Sequence, residues 1–411
     1  MLKKVGIIAA VAAAFSVAVA STAWGSAKAP SAAALANASV TCTRSVTIGV
    51  AYPATGDAAT IGAFQWDWAR FAAAQWNKAH AMKITLQQGD TVLGPNDQAV
   101  PVAHSFASNG HILALTGPAG SQEVQDSIGI YKTAGLGAVS GSATRVRLTR
   151  ATSGTGGGPR ETTPGYFFRT VPNDGQQGDR VASWIHNNLH ATHVYIIDDE
   201  ESYSQGLALQ VKGDLQKVGG ITIGINHVSQ SASDFSSLIT SIPSNTQVVY
   251  IPWQLADKAQ LFQQQLHSPR PNAIVFGSDG VDAPGTFQPN GHGYVSGFPV
   301  DFTNPVLTKF ANAHGGHQET FGLPTYTSVM VNAFAIQKAC NAGGGQTTRV
   351  AVRRMIPKVT LNRATSLLGF PVSFLTANST TSKFEGAGDM GGAADFAIFQ
   401  ILGNGNYKRV G

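Results

Sequence analysis

The chain is short of cysteine, has no dense block of positive charge, and shows no long apolar run beyond its first two dozen residues. Each shortage excludes a class of protein. Cys42 and Cys340 are the two cysteines in 411 residues, and their spacing gives no support to a metal site made from them alone. Lysine and arginine form no run beyond Arg349 to Arg354, whereas a nucleic-acid surface needs a denser basic face. Nucleic acid is therefore excluded as a partner. No stretch after the N-terminal run is long and apolar enough to cross a bilayer. Catalytic signatures are missing too. SYSQG (Ser202 to Gly206) lacks the first glycine of a nucleophile elbow, and neither cysteine sits in a nucleophile motif. HATH (His190 to His193) and HGGH (His314 to His317) have no third zinc ligand at a recognisable spacing. No enzyme activity, metal or cofactor is expected.

What is present begins with the N-terminus. Lys3 and Lys4 precede an alanine- and valine-rich run, Val5 to Ala20, and small residues follow up to Gly25 or Ala29. The run is shorter than the ~20 residues of a spanning helix, so residues 1–29 read as a cleaved signal peptide. Cys42, preceded by Ser39-Val40-Thr41, stands too far from the run for lipid attachment. A periplasmic or freely secreted protein is expected. The formal charge of +5 shrinks with the leader, because Lys3, Lys4 and Lys28 leave and no acid does, so that 25 basic residues face 23 acidic ones. About 380 residues remain, too many for one ordinary core and suited to two lobes.

Residues 30–44 read as a flexible lead-in. After them, short apolar runs alternate with helical patterns. Strands are predicted over Val46–Tyr52, Ile112–Thr116, Gly137–Ser140, Val194–Ile197, Ile221–Ile225, Val248–Ile251 and Ala273–Phe276, each continuous enough in Val, Ile, Leu and Ala to be buried on both faces. Between them, Phe64, Trp68, Phe71 and Ala72 fall on one helical stripe, and Val181, Trp184, Ile185 and Leu189 on another. Such alternation means βαβ units and parallel sheets. The Gly-rich stretch Ala151 to Pro159 neither follows a strand closely nor opens a helix, so it is a surface loop and not a dinucleotide site.

Three phrases sit beside strand-like runs, where loops face a cleft: YFFRTVPNDGQQG (Tyr166 to Gly178), DDEESYSQGLALQ (Asp198 to Gln210) and FGSDGV (Phe276 to Val281). With GVAYPATGDAATIG (Gly49 to Gly62), LTGPAGSQEV (Leu115 to Val124) and VSGSATRVRLT (Val139 to Thr149), their order resembles the leucine/isoleucine/valine-binding family of ABC-importer solute receptors. The resemblance runs from Val46 to the C-terminus. It implies an α/β, type I periplasmic-binding-protein-like fold, with two doubly wound lobes joined by a three-stranded hinge. It puts residues 45–172 and 298–370 in the N-terminal lobe, and residues 173–297 and 371–411 in the C-terminal lobe.

The resemblance also implies a small-molecule ligand, an amino acid or analogue, gripped by its carboxylate from one lobe and its ammonium from the other. On the first side stand Ser121, at a helix N-terminus suited to an anion, and Ser142, Ala143 and Thr144 in the SGSAT loop. On the second stand Tyr203 and Asp279, whose carboxylate would meet the ammonium in a charge-assisted contact. Where valine-type members carry an aromatic, this chain reads Pro252-Trp253-Gln254. Either Trp253 or Gln254 then lines the side-chain pocket, or Trp253 packs at the hinge. Cys42 precedes the first strand and Cys340 ends a helix expected in the same lobe, so a Cys42–Cys340 bridge is expected, with two buried free thiols as the alternative. The partners implied are ABC permease subunits docking a monomer. The alternative is an exported sensor of the same fold without a transporter. A hydrolase on this scaffold would need a nucleophile–base pair that the sequence lacks.

Overall fold

The expected alternation of strand and helix is realised twice, in two separate parallel sheets. A computed structural model describes residues 31–42, 45–154, 157–289, 293–299, 304–314, 320–376, 385–391 and 395–411. The signal peptide expected over residues 1–29 lies outside the described residues, as does His317 of the HGGH motif.

A short strand β1 (Val40–Thr41) leads into the first sheet, built from β2 (Ser45–Tyr52), β3 (Lys83–Asp90), β4 (Ile112–Thr116), β5 (Ala138–Ser140) and β6 (Phe167–Arg169). The order is β3-β2-β4-β5-β6, parallel throughout. The second sheet repeats that order with β7 (His193–Asp198), β8 (Thr222–His227), β9 (Val248–Ile251), β10 (Ile274–Gly277) and β11 (Gly293–Gly297), parallel as β8-β7-β9-β10-β11. The chain then returns to β1, which β12 (Gln346–Thr347) joins, before β13 (Ala397–Ile401) and β14 (Tyr407–Arg409) extend the second sheet antiparallel to β11. Strand order reverses beside β2 in one lobe and beside β7 in the other. In doubly wound sheets the crevice at the carboxyl ends of such strands is where ligands sit.

The sequence explains which strands are central. β4 (ILALT) and β9 (VVYI) are buried at every position, as continuous apolar runs between two helical layers must be. β3 (KITLQQGD), absent from the predicted strands, is an edge strand with Gln87 and Gln88 in its middle and only two fully buried residues. Helix Ala59–Ala79 buries Trp68, Ala72 and Trp76 against helix Gly322–Ala342, which is buried on nearly all sides and also packs on β4. The Trp76 indole N–H is satisfied by the Met82 carbonyl at 2.8 Å, so the ring's apolar area is buried without an orphaned donor. Among the described residues, no helix is long and apolar enough to cross a membrane.

Two expectations are corrected. The lead-in is not a free segment over its described residues. Ser31 caps helix Ala32–Ala36 through its hydroxyl, Val40 pairs with Thr347, and Cys42 is bonded to Cys340 at the end of helix Gly322–Ala342. The division at residue 371 also moves. Val372, Phe374 and Met390 join the first lobe's core, with Phe374 edge-on to Phe168, because bridges Leu361↔Val372 and Phe374↔Met390 hold this segment to that lobe. The chain enters the second sheet at Ala397. It passes between the sheets after β6, after β11 and before β13, and Val171, Phe298 and Phe396 from those passages meet Phe321 in one apolar cluster.

Candidate functional site

The loops that follow β4 and β5 build the first lobe's wall. Helix Ser121–Thr133 begins directly after the β4 loop, with Gly120 as N-cap and the Glu123 carboxylate accepting the Gly120 N–H at 2.8 Å. Ser121 accepts the Arg145 backbone N–H at 3.2 Å. Ser142 donates to the Ala119 carbonyl and accepts from the Gln65 amide, both at 2.8 Å. Ser140 donates to the Pro118 carbonyl at 2.6 Å. These bonds stitch the two loops into one rigid rim. Behind it, Arg169 reaches the Ala143 and Arg145 carbonyls and pairs with Asp389 at 2.5 Å, both side chains buried.

The second wall comes from the carboxyl ends of β7, β9 and β10. Tyr203 occupies the first turn of helix Ser202–Val218, and its hydroxyl donates to Asp279 at 2.5 Å. Asp279 opens a 3₁₀ turn directly after β10 and is 1% exposed. The Gln177 amide, from helix Asp174–Asn187, donates to Asp279 at 2.7 Å and to Ser296 at 2.8 Å. Burial pushes the Asp279 carboxyl up to about 6, against the opposing pull of Tyr203, Gln177 and its own turn's backbone N–H groups. Asp174 is pushed up to about 7, first by burial and then by the charge of Asp279. Among the described residues, Asp279 forms no ion pair, and its contacts are the neutral donors Tyr203 and Gln177.

A cavity of about 30 Å³ lies where the walls meet. Ile61, Leu93, Ala119, Gly120, Ser121, Ser142 and Phe321 line it from the first lobe, and Tyr203, Gln254, Asp279 and Gly280 from the second. Five of the eight residues singled out by sequence are thus brought together: Ser121, Ser142, Tyr203, Gln254 and Asp279. The other three are not. The Ala143 N–H goes to the Ser140 hydroxyl at 3.0 Å. Thr144 is fully buried and offers its carbonyl to the Asp174 N–H at 2.9 Å. Trp253 is corrected most clearly: its indole donates to the Ile197 carbonyl at 2.7 Å and packs on Phe235 and Phe262 inside the second lobe. A Trp directed into the cleft would give up that hydrogen bond and both of those ring contacts.

Sequence reasoning assigned no role to Gln177, Asp174, Arg145, Leu93 or Phe321. Gln177 and Asp174 lie inside the quoted phrase NDGQQG, so their signal was present; the cross-sheet contacts that give them meaning were not. Arg145 is held by Glu161 at 3.0 Å and crosses to the Ser202 carbonyl of the other lobe, and the Ser202 hydroxyl in turn donates to Gln125. These contacts hold the lobes together beside the cavity. The histidine motifs lie elsewhere: His193 contacts Thr192, and His314 pairs with Asp67 at 2.7 Å.

Two lobes of matching topology, closed over a cavity that polar groups approach from both sides, define a type I periplasmic-binding-protein-like receptor. The chain belongs to the periplasmic binding protein family, whose model matches residues 45–384. It is 31% identical over 310 residues to an amino acid binding protein of Pseudomonas aeruginosa, covering 72% of this chain and 79% of that one. It is 28% identical over 321 residues to the Leu/Ile/Val-binding protein BraC3 of Rhizobium johnstonii, covering 75% and 83%. In fold it is similar to the leucine binding protein LivK of Thermotoga maritima, with a TM-score of 0.73 at 20% identity, over 89% of this chain and 98% of that chain.

Proposed function

We propose that this chain is the exported, periplasmic receptor of an ABC importer, and that it captures an amino acid or related small carboxylate between its closing lobes. The observation that carries the reading is Asp279. A carboxylate 1% exposed, held by neutral hydrogen-bond donors and, among the described residues, in no ion pair, is costly until a positive group joins it. A ligand ammonium supplies that group. Across the cavity, the N-terminal turn at Ser121, with its backbone N–H and hydroxyl, suits the ligand's carboxylate, where backbone N–H groups and the helix dipole favour an anion. Ile61, Leu93 and Phe321 provide the apolar remainder. The named relatives bind amino acids, which agrees with this assignment of the two walls.

Titration calorimetry of the mature chain against the common amino acids tests the reading. Binding of at least one zwitterionic amino acid, with loss of the bare carboxylate and bare amine analogues, is the expected result. Equal affinity for an amino acid and its deaminated carboxylate would remove Asp279 from ligand recognition.

A further inference from the structure

The loop after β3 holds an unusual backbone at the cavity. Val92 and Leu93 have φ of 65° and 50°, in succession and without glycine. The left-handed region is unfavourable for any L-residue and worst for a β-branched one, so such a pair persists only where the surroundings over-determine it. Here they do. Asp90 accepts the Val92 N–H at 3.0 Å, and also takes the Ala54 N–H and the Thr55 hydroxyl at 2.9 and 2.6 Å. Thr91 is held between Tyr52 and Gln98 by backbone bonds of 3.0 and 2.8 Å.

The result of that backbone is the position of one side chain. Leu93 is 4% exposed, lines the cavity, and packs with Ala58 of its own lobe and Leu255 of the other. It also lies over Gly120, the N-cap before Ser121: a Cβ on Gly120 would stand 2.3 Å from Leu93 Cδ1. Leu93 therefore touches both the space for the ligand and the opposing lobe. An occupant that displaces Leu93 also breaks its contact with Leu255.

We propose that Leu93 is the size-selecting residue of the cleft, a strained wedge whose contact with Leu255 is kept over an empty cleft or a small occupant and broken by a large one, and so couples ligand size to closure. This rests on the reading of the cavity as a ligand site. The test uses Leu93→Ala and Leu93→Gly, the second of which keeps the positive φ without steric cost. Glycine, alanine, leucine and phenylalanine are titrated into each protein. Both variants should shift the ratio of dissociation constants between alanine and phenylalanine at least tenfold toward phenylalanine. Small-angle scattering of the free proteins should show both variants expanded relative to the parent. An unchanged ratio overturns the proposal. If the parent binds none of the four, the amino-acid reading falls, and scattering alone decides: identical radii of gyration overturn the wedge, expanded variants sustain it.

Discussion

On the first lobe's wall the polar groups are engaged with one another, Ser142 between Gln65 and Ala119 and Gly120 against Glu123. On the second wall a carboxylate is held by two neutral donors, Tyr203 and Gln177, and among the described residues it has no ion-pair partner. The strand order behind the walls is the same. The same framework thus delivers a preformed, neutral rim on one side and a charge awaiting its partner on the other. The first wall's integrity depends on contacts behind it. The second wall's energy depends on what enters the cleft.

Removing Asp389 is the most severe way to break that contrast. Its carboxylate takes Arg169 at 2.5 Å, Thr149 at 3.0 Å, Asn173 at 3.1 Å and the Gly386 N–H at 2.8 Å. Asp389→Ala leaves the buried Arg169 cation alone and should cost about 3–5 kcal/mol in urea unfolding, with the Ala143–Arg145 backbone losing its anchor. A loss below about 1 kcal/mol would show that the rim does not rest on this pair.

Opening the Cys42–Cys340 bond, which closes a separation of 298 residues, follows at roughly 2–5 kcal/mol. Both ends lie in the first lobe, so reduction should lower the first lobe's unfolding midpoint and spare the second's. Equal loss in both lobes, read by site-specific tryptophan fluorescence, would contradict that lobe assignment.

On the second wall, Asp279→Asn should weaken an amino-acid ligand by more than 1.4 kcal/mol, about tenfold. The pH dependence sharpens the point. In the folded chain Asp279 and Asp174 keep their protons up to about 6 and about 7, against 3.8 ordinarily. Folded protein then binds more protons than unfolded across that window. The stability these groups contribute is complete below roughly pH 4 and is lost as pH rises through 6 and 7. Glu123, raised to about 8, and Asp199, raised to about 7, act in the same direction. The melting temperature of the free protein should fall from pH 5 to pH 8, and less steeply in Asp279→Asn. Ligand affinity should rise over the same interval as Asp279 ionises. A free-protein melting temperature that climbs with pH would reverse the sign argued here.

Much of this was legible in the residues. Ile112–Thr116 and Val248–Ile251 were predicted with the bounds observed, because central strands must be apolar on both faces. Of the ten parallel strands, β3, β6 and β11 were missed, the first for its edge polarity, the second for its three-residue length and the third for its glycines at both ends. Asp279 and Tyr203 were assigned to one wall by the family resemblance of the phrases that hold them. Trp253 and Gln254 could not be told apart, since one residue's shift at a strand end exchanges cleft for core. Leu93 gave no signal at all: its positive φ goes with the bonds of the Val92 N–H to Asp90 and of its own N–H to the Thr91 carbonyl, and no propensity rule favours it.

The smallest expected effect falls on Ser121. Its hydroxyl already accepts the Arg145 N–H at 3.2 Å, within a loop that Arg169 holds by the Arg145 carbonyl. What a ligand carboxylate needs from this wall is the backbone N–H at the helix N-terminus, and Ser121→Ala leaves that group in place. The substitution should therefore cost about 0.5–1.5 kcal/mol in calorimetric affinity, less than Asp279→Asn. Ser121→Pro, which removes the N–H and suits the first helical position, should cost more than the alanine variant while leaving the fold intact. If alanine proves as damaging as asparagine at 279, the hydroxyl is the anion's principal donor, and the neutral rim is not preformed in the sense that separates it from the opposite wall.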